Sequence, residues 1–239
     1  MRIGVVIVMY DEIDLVWTSI NNIKSKFNDA KIVVVQSFSD IQSENLKKIK
    51  ETSDKFILLP NLANTYNRFE LPSQAICRNI SKGITALYEL GDFDCITIST
   101  GDTLINDPES FSRRYQDMQN NKWIGMVSKA IDQSFHAPTD NPPEGLAGNR
   151  YQHQNTTDFA CCFFILDGKF AKETNAFSNI EITNRWTSEQ CLGDEMIKAI
   201  NGNKFNEKIG VLNNAFPFIP YSYNDGITYH AKTNGMPSR

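Results

Sequence analysis

The chain has 239 residues, 41% hydrophobic and 22% charged, a composition typical of a globular domain with its own core. The formal net charge of −4 gives no electrostatic basis for general binding to nucleic acid or to an anionic membrane surface. No apolar run of the sequence approaches the roughly 20 residues that a transmembrane helix requires. At the N-terminus a short apolar run meets Tyr10-Asp11-Glu12 at once, which favours a first β-strand over a signal peptide.

The five cysteines indicate a reducing compartment. Their number is odd, no C-x-x-C pair occurs, and four of them lie in or beside apolar runs. Such residues are typical of small core side chains rather than of disulfides or a zinc site. We therefore expect a cytoplasmic protein.

The first quarter of the chain alternates strands and helices. Uninterrupted apolar runs predict buried strands over residues 3–9, 31–36 and 55–59. The spacing of Val16, Ile20, Ile23 and Phe27 predicts a first helix, and a polar helix is expected over residues 41–52. This β-α-β-α-β order predicts a parallel sheet with right-handed crossovers.

The stretch from Ser73 to Asp107 organises the rest. An apolar helix face (Ile76, Ile80, Ile84, Leu87) ends at Gly91, and a strand over residues 95–100 follows. The strand breaks at Gly101-Asp102-Thr103, and Asp107-Pro108 predicts a new helix with Pro108 at its first position. Asp102 is thus expected at the carboxyl edge of the sheet, where open α/β sheets bind ligands. A plain turn explains the same residues.

Several of these motifs resemble those of glycosyltransferase family 2 enzymes of the GT-A fold. They are Tyr10-Asp11 after the first strand, Gln36-Ser37-Phe38-Ser39-Asp40 after the second, Arg78-Asn79 with Gly83 to Ala86 in the helix, and Thr100-Gly101-Asp102. The resemblance implies an α/β, GT-A-like fold with a Rossmann-type, mostly parallel central sheet flanked by helices. It implies one domain over residues 1–239, with a nucleotide-binding half (1–107) and an acceptor-binding half (108–239).

The resemblance also implies a donor site with two departures from the family pattern. The implied donor-binding residues are Tyr10, Asp11, Gln36, Ser39, Arg78, Gly101 and Asp102. Gln36 stands where the family has a base-binding acid, and Thr100 replaces the first acid of Asp-x-Asp. Other readings stay open: Tyr10 as a strand-end aromatic, Ser39 and Asp40 as an N-cap of the next helix, and Arg78 as an ion-pair partner of Asp102.

The metal ligands implied by the resemblance are Asp102 and a late histidine, His230. Because Thr100 supplies no carboxylate, we expect binding of Mn²⁺ or Mg²⁺ that is weak and dependent on the donor, or no binding.

The second half is expected to hold the acceptor and the catalytic base. Strands are predicted over residues 123–130 and 159–166, with an irregular segment over 131–158 that fits an acceptor loop or lid. A helix over residues 187–200 carries Glu189, Asp194 and Glu195 and resembles the Glu-Asp helix of inverting members. Asp194 is the chosen base and Glu189 the runner-up, although acids also favour a helix N-terminus without catalysis.

The sequence therefore predicts an inverting glycosyltransferase of glycan or polysaccharide biosynthesis. It would move a sugar from a nucleotide-sugar donor, a UDP-sugar being the expected one, to an acceptor hydroxyl. One alternative is a nucleotidyltransferase, although residues 9–15 lack the Gly-rich basic loop expected of that class. The other is a non-catalytic GT-A-like module that binds sugar or nucleotide.

Overall fold

The structure is a computed structural model. Its architecture is α/β, with helices on both faces of a central sheet. It describes residues 1–37, 42–60, 72–101, 103–105, 108–120, 125–128, 163–180, 191–192, 195, 198–199, 218–221 and 228–230. The strands are β1 (Ile3–Met9), β2 (Lys31–Ser37), β3 (Lys55–Leu59), β4 (Cys95–Thr100), β5 (Thr103–Ile105), β6 (Gly125–Ser128), β7 (Phe163–Asp167), β8 (Phe218–Tyr221) and β9 (Thr228–His230). The helices are α1 (Ile13–Lys26), α2 (Glu44–Thr52), α3 (Pro72–Glu89), α4 (Pro108–Asn120) and α5 (Gly168–Thr174).

The central sheet has the order β3-β2-β1-β4-β7-β6-β8. Strands β3, β2, β1 and β4 are mutually parallel, as predicted, and β8 is parallel to β6. Strand β7 runs antiparallel to both β4 and β6, and β5 and β9 form a separate antiparallel pair. The predicted mostly parallel sheet flanked by helices is confirmed, and the antiparallel insertions are additions to it.

Both faces of the parallel strands are covered by helices. In β1, Val6 and Val8 face a core cluster formed with α3 and α5, whereas Val5 and Ile7 face a second cluster formed with α1, α2 and α4. The strand is buried at every position, which explains its uninterrupted apolar sequence. At the edge of the sheet, β3 is less protected, and Leu58 is 51% exposed.

Helix boundaries follow local signals, with one correction. Helix α3 ends before Gly91, whose φ of +126° suits only glycine, and α4 begins at Pro108 as predicted. The interpretation of Ser39 and Asp40 as the cap of α2 is wrong: α2 begins at Glu44, and Ser43 accepts the Leu46 N–H at 3.0 Å. Capping by Ser43 shortens the helix from the predicted 41–52 because its oxygen satisfies an otherwise free amide.

The structure describes three of the five cysteines that we expect to be reduced. Cys77, Cys95 and Cys191 are buried, and Cys161 and Cys162 lie outside the described residues. Within the described ranges, no helix is long and apolar enough to cross a membrane.

Asp54 joins the beginnings of β2 and β3 and gives a pH-dependent contribution to stability. Its carboxylate accepts hydrogen bonds from Lys31 Nζ at 2.7 Å, the Ile32 amide at 2.8 Å and Lys24 Nζ at 3.3 Å. Burial alone would raise the pKa of Asp54, but these donors and the Lys24 charge lower it below its usual value.

We expect Asp54→Asn to lower the free energy of unfolding at pH 7 by about 1–3 kcal/mol, measured by urea denaturation. A lowered folded-state pKa stabilises the fold above the unfolded value of about 3.9 and loses that effect as the pH falls through the folded value. The difference between wild type and variant should therefore shrink below about pH 4. A constant difference from pH 7 to pH 3 would contradict this account.

Candidate functional site

The carboxyl end of β1 is organised by Glu12. Its Oε2 accepts the backbone N–H of Tyr10 at 2.9 Å and of Asp11 at 3.2 Å, so both strand-end amides are satisfied. A Cβ on Gly101 would lie 2.9 Å from the same oxygen and 2.9 Å from Met9 Cβ. Glu12 therefore lies between the ends of β1 and β4, where the strand order reverses and open α/β sheets bind ligands.

Sequence reasoning missed Glu12 by treating it only as the end of the first strand. The available signal was an acid immediately after a buried parallel strand, next to the Tyr10-Asp11 pair. Tyr10 is 38% exposed and Asp11 is also exposed, so both are accessible at this edge of the sheet.

Gln36 lies at the carboxyl end of β2, next to β1, and is only 2% exposed. It pairs with Met9 in the sheet, and its Nε2 donates to the Tyr10 carbonyl oxygen at 3.2 Å. A carboxylate could not donate this bond, which accounts for an amide at the position where the resemblance expects an acid. Gln36 thus fixes the backbone of Tyr10 and connects two of the predicted donor-binding residues.

The Arg78-Asn79 pair of α3 connects the ends of β2 and β3. Asn79 is 2% exposed, and its Nδ2 donates to Ser37 Oγ at 2.7 Å. Arg78 Nη2 donates to the Pro60 carbonyl at 2.9 Å and approaches Asn79 Oδ1 at 3.4 Å. The guanidinium predicted as a donor-site cation is therefore held at the carboxyl ends of the strands.

At the end of β4, hydroxyl groups occur where the resemblance expects a carboxylate. Thr100 Oγ1 lies 3.2 Å from Thr103 Oγ1, and the Gly101 amide donates to the Val8 carbonyl at 2.6 Å. Thr103 pairs with His230 in the β5–β9 ladder. Asp102 itself lies outside the described residues, but its sequence neighbour is thus paired with the other predicted metal ligand.

The side chains around Thr103 decide whether the protein could hold a divalent cation at the end of β4. No group of three His, Cys, Asp or Glu side chains able to hold a metal occurs within the described part of the chain. Thr100 is engaged with another hydroxyl and brings no charge. The β5–β9 register brings the backbone of His230 beside Thr103, whereas Asp102 lies outside the described residues.

One of the three candidate bases lies in the described part of the chain. Glu195 is helical, its side chain is 14% exposed, and Oε1 lies 3.0 Å from Lys198 Nζ. Cys191, Leu192 and Ala199 of the same region are buried. At about 100° per residue, Glu195 lies about 40° from both Cys191 and Ala199 around the helix axis, hence on the buried side.

Other predicted residues and segments lie outside the described residues. They are Ser39, Asp40, Asp102, Glu189 and Asp194, and the segment 131–158.

The sheet order defines a GT-A-like α/β fold, and known structures share it. Glucosyl-3-phosphoglycerate synthase from Mycobacterium tuberculosis, in complex with Mn²⁺, UDP and glucosyl-3-phosphoglycerate, gives a TM-score of 0.53 at 10% identity, covering 96% of this chain and 71% of that one. TarS of S. aureus gives 0.51 at 10% identity, covering 83% and 34%. The mannosyltransferase PcManGT from Pyrobaculum calidifontis, in complex with GDP-Man and Mn²⁺, gives 0.50 at 12%, covering 98% and 58%.

These similarities establish the fold. The chain spans about a third of TarS and somewhat more than half of the mannosyltransferase. No family model matches the sequence, and no curated protein matches it either.

Proposed function

We propose that this chain is an inverting glycosyltransferase that moves a sugar from a nucleotide-sugar donor to an acceptor hydroxyl. The observation that carries the proposal is the group formed by Tyr10, Asp11, Glu12, Gln36 and Gly101 at the carboxyl ends of β1, β2 and β4 in a GT-A-like sheet. We call the surface at these strand ends the donor crevice. The proposal extends to a UDP-sugar donor and to cytoplasmic glycan or polysaccharide biosynthesis.

In this proposal the first half of the chain, residues 1–107, holds the nucleotide. Tyr10 and Asp11 are exposed at the crevice and would contact it, while Gln36 fixes the Tyr10 backbone through a 3.2 Å hydrogen bond. The Asn79–Ser37 bond at 2.7 Å holds the end of β2, two residues before Ser39 in the sequence. Ordering these strand ends before binding lowers the entropy that ligand binding has to overcome.

The second half, residues 108–239, would hold the acceptor and the base. Inversion needs a carboxylate that removes the acceptor proton on the face opposite the leaving group. Asp194 is the base proposed from the sequence, with Glu189 and Glu195 as the other candidates. Glu195 is partly buried, and Cys191, Leu192 and Ala199 belong to the core, which supports a helix packed against the core.

A divalent cation would be held by Asp102 and His230 together with the donor diphosphate, and it would neutralise charge on the leaving group. Since Thr100 adds no carboxylate, the protein alone should hold such an ion weakly.

A thermal-shift series tests the donor class. We expect a UDP-sugar to raise Tm, because ligand at 100 times Kd stabilises by about 2.7 kcal/mol, and we expect Mn²⁺ to enlarge the shift only when the nucleotide is present. The free sugar and UMP are the matched controls. A shift with Mn²⁺ alone equal to that with Mn²⁺ and donor would contradict the weak-metal proposal.

Turnover separates the enzyme from its alternatives. Donor hydrolysis or transfer accompanying the Tm shift supports the transferase. A Tm shift without turnover of any donor and acceptor would favour the binding module, to which the neutral Thr100–Thr103 pair also points. Release of diphosphate from a nucleoside triphosphate would favour a nucleotidyltransferase.

A further inference from the structure

A stripe of hydroxyl side chains on α3 binds the backbone of a turn far along the chain. We call Ser81, Thr85 and Tyr88 the α3 stripe; they lie within about 60° of one another around the helix axis. The Tyr88 hydroxyl is 2.8 Å from the Ala171 carbonyl oxygen and 2.9 Å from that of Ala176. The Ile180 amide donates to Ser81 Oγ at 3.0 Å, and Thr85 Oγ1 lies 3.3 Å from the Ser178 carbonyl oxygen.

The segment that these side chains hold, the turn 175–180, has an unfavourable backbone. Asn175 has φ +53° and Phe177 has φ +62°, a region that a bulky L-residue rarely adopts. Phe177 is nevertheless fully buried, with its ring centroid 5.3 Å from that of Phe164. Strained backbone persists only where its surroundings fix it, and the α3 stripe supplies polar contacts that do so.

Tyr88 is well suited to this contact. Burial raises the pKa of its phenol above the usual value, so the hydroxyl stays protonated and remains a donor across the physiological range. Of the two carbonyl oxygens it approaches, that of Ala171 lies within α5 and that of Ala176 lies in the turn 175–180.

The turn 175–180 shares a core cluster with the helical region at 191–199, of which the structure describes residues 191–192, 195 and 198–199. Phe177 and Ile180 belong to the same core cluster as Cys191, Leu192 and Ala199, and this cluster also contains Ile80, Ile84 and Leu87 of α3. Helix α3 therefore contacts the strand ends of the donor crevice through Arg78 and Asn79 and the acceptor half through the α3 stripe.

We propose that Ser81 and Tyr88 are positioning residues: by fixing the turn 175–180, they set where the helical region at 191–199 stands relative to the donor crevice. The expected effect on sugar transfer rests on the proposed function. The expected effect on the position of the helical region rests only on the contacts described above.

The test compares Tyr88→Phe with Tyr115→Phe. Tyr115 is a matched control because its hydroxyl also donates to a backbone carbonyl, that of Asp94 at 2.9 Å, while its ring packs on the other face of the sheet from Tyr88. We expect Tyr88→Phe to raise amide hydrogen exchange about fivefold in peptides covering 175–180 and 191–199. The ratio of sugar transfer to donor hydrolysis should fall about tenfold, with the donor Kd changed less than about twofold.

Ser81 provides a second pair of variants. Ser81→Ala removes the acceptor of the Ile180 amide and should raise amide exchange in the same peptides as Tyr88→Phe. Ser81→Thr keeps a hydroxyl and should exchange at the wild-type rate. Tyr115→Phe should change neither exchange at 191–199 nor the ratio of transfer to hydrolysis.

Three results would overturn the proposal: faster exchange confined to 175–180, an unchanged transfer-to-hydrolysis ratio in Tyr88→Phe, or equal effects of Tyr88→Phe and Tyr115→Phe. Failure of the proposed function is distinguishable, since the wild-type protein would then turn over no nucleotide sugar. In that case exchange at 191–199 still decides whether the α3 stripe holds the helical region.

Discussion

Replacing Asp194 with asparagine is expected to lower the rate of sugar transfer by about 10²–10⁴-fold, the usual contribution of a general base. The substitution keeps the shape of the side chain and removes the carboxylate that would take the acceptor proton. Donor binding should stay within a few-fold, because the donor contacts are proposed to lie in residues 1–107. Steady-state transfer kinetics and the donor Kd from calorimetry measure the two quantities separately.

The neighbouring acids provide the controls. Glu195→Gln removes a carboxylate whose Oε1 lies 3.0 Å from Lys198 Nζ, and Glu189→Gln removes the runner-up. If Asp194→Asn transfers sugar at the wild-type rate and one of the two control variants does not, the residue changed in that control is the base. If all three variants transfer sugar normally, the inverting-base proposal for this region fails.

Gly168→Ala is expected to have the largest effect on stability. Gly168 begins α5, and its amide donates to the Asp94 carbonyl at 2.9 Å. A Cβ there would lie 2.0 Å from the Phe93 carbonyl oxygen and 2.7 Å from its carbon, and backbone atoms cannot rotate away as a side chain would. We expect a loss of about 3 kcal/mol in the free energy of unfolding, which for a chain of this size is a fall in Tm of about 6–12 °C.

The matched control is Lys169→Ala, one residue further along the same helix. The Lys169 side chain is 80% exposed and pairs with Glu173 at 3.8 Å, so its loss should change stability by less than about 0.5 kcal/mol. Thermal unfolding followed by circular dichroism measures both variants. Equal Tm values for Gly168→Ala and Lys169→Ala would show that α5 can move away from β4.

The parts of the fold predicted from sequence are those determined by local pattern. The bounds of β1, β3 and β4 agree with the predicted 3–9, 55–59 and 95–100, because each is an apolar or β-rich run between turn residues. The pairing of β7 with β4 and of β5 with β9 joins segments distant in sequence, which no local pattern specifies. Helix α5 was missed although Asp167 caps it by accepting the Phe170 amide at 2.8 Å, a signal readable as an N-cap.

The candidate site shows the same division. Tyr10 and Gln36 were assigned to one site because two parallel strands end there, and the structure joins them by a hydrogen bond. That Gln36 uses its amide on a neighbouring carbonyl depends on the β1–β2 register, which the sequence does not state. The roles of Asp102, Asp194 and Glu189 remain predictions, since these residues lie outside the described part of the chain.

Strand β3 lies at the edge of the sheet, where a strand of another chain could pair with it. An outer strand presents backbone donors and acceptors that another chain can extend, and the exposed Leu58 adds an apolar contact. Charged side chains at this edge oppose such pairing. Lys50 Nζ lies 5.2 Å from the centroid of the Phe56 ring, and Lys55 pairs with Glu89 at 2.7 Å. A second chain adding to this edge would have to desolvate those ammonium groups, which disfavours the growth of aggregates from an otherwise receptive strand.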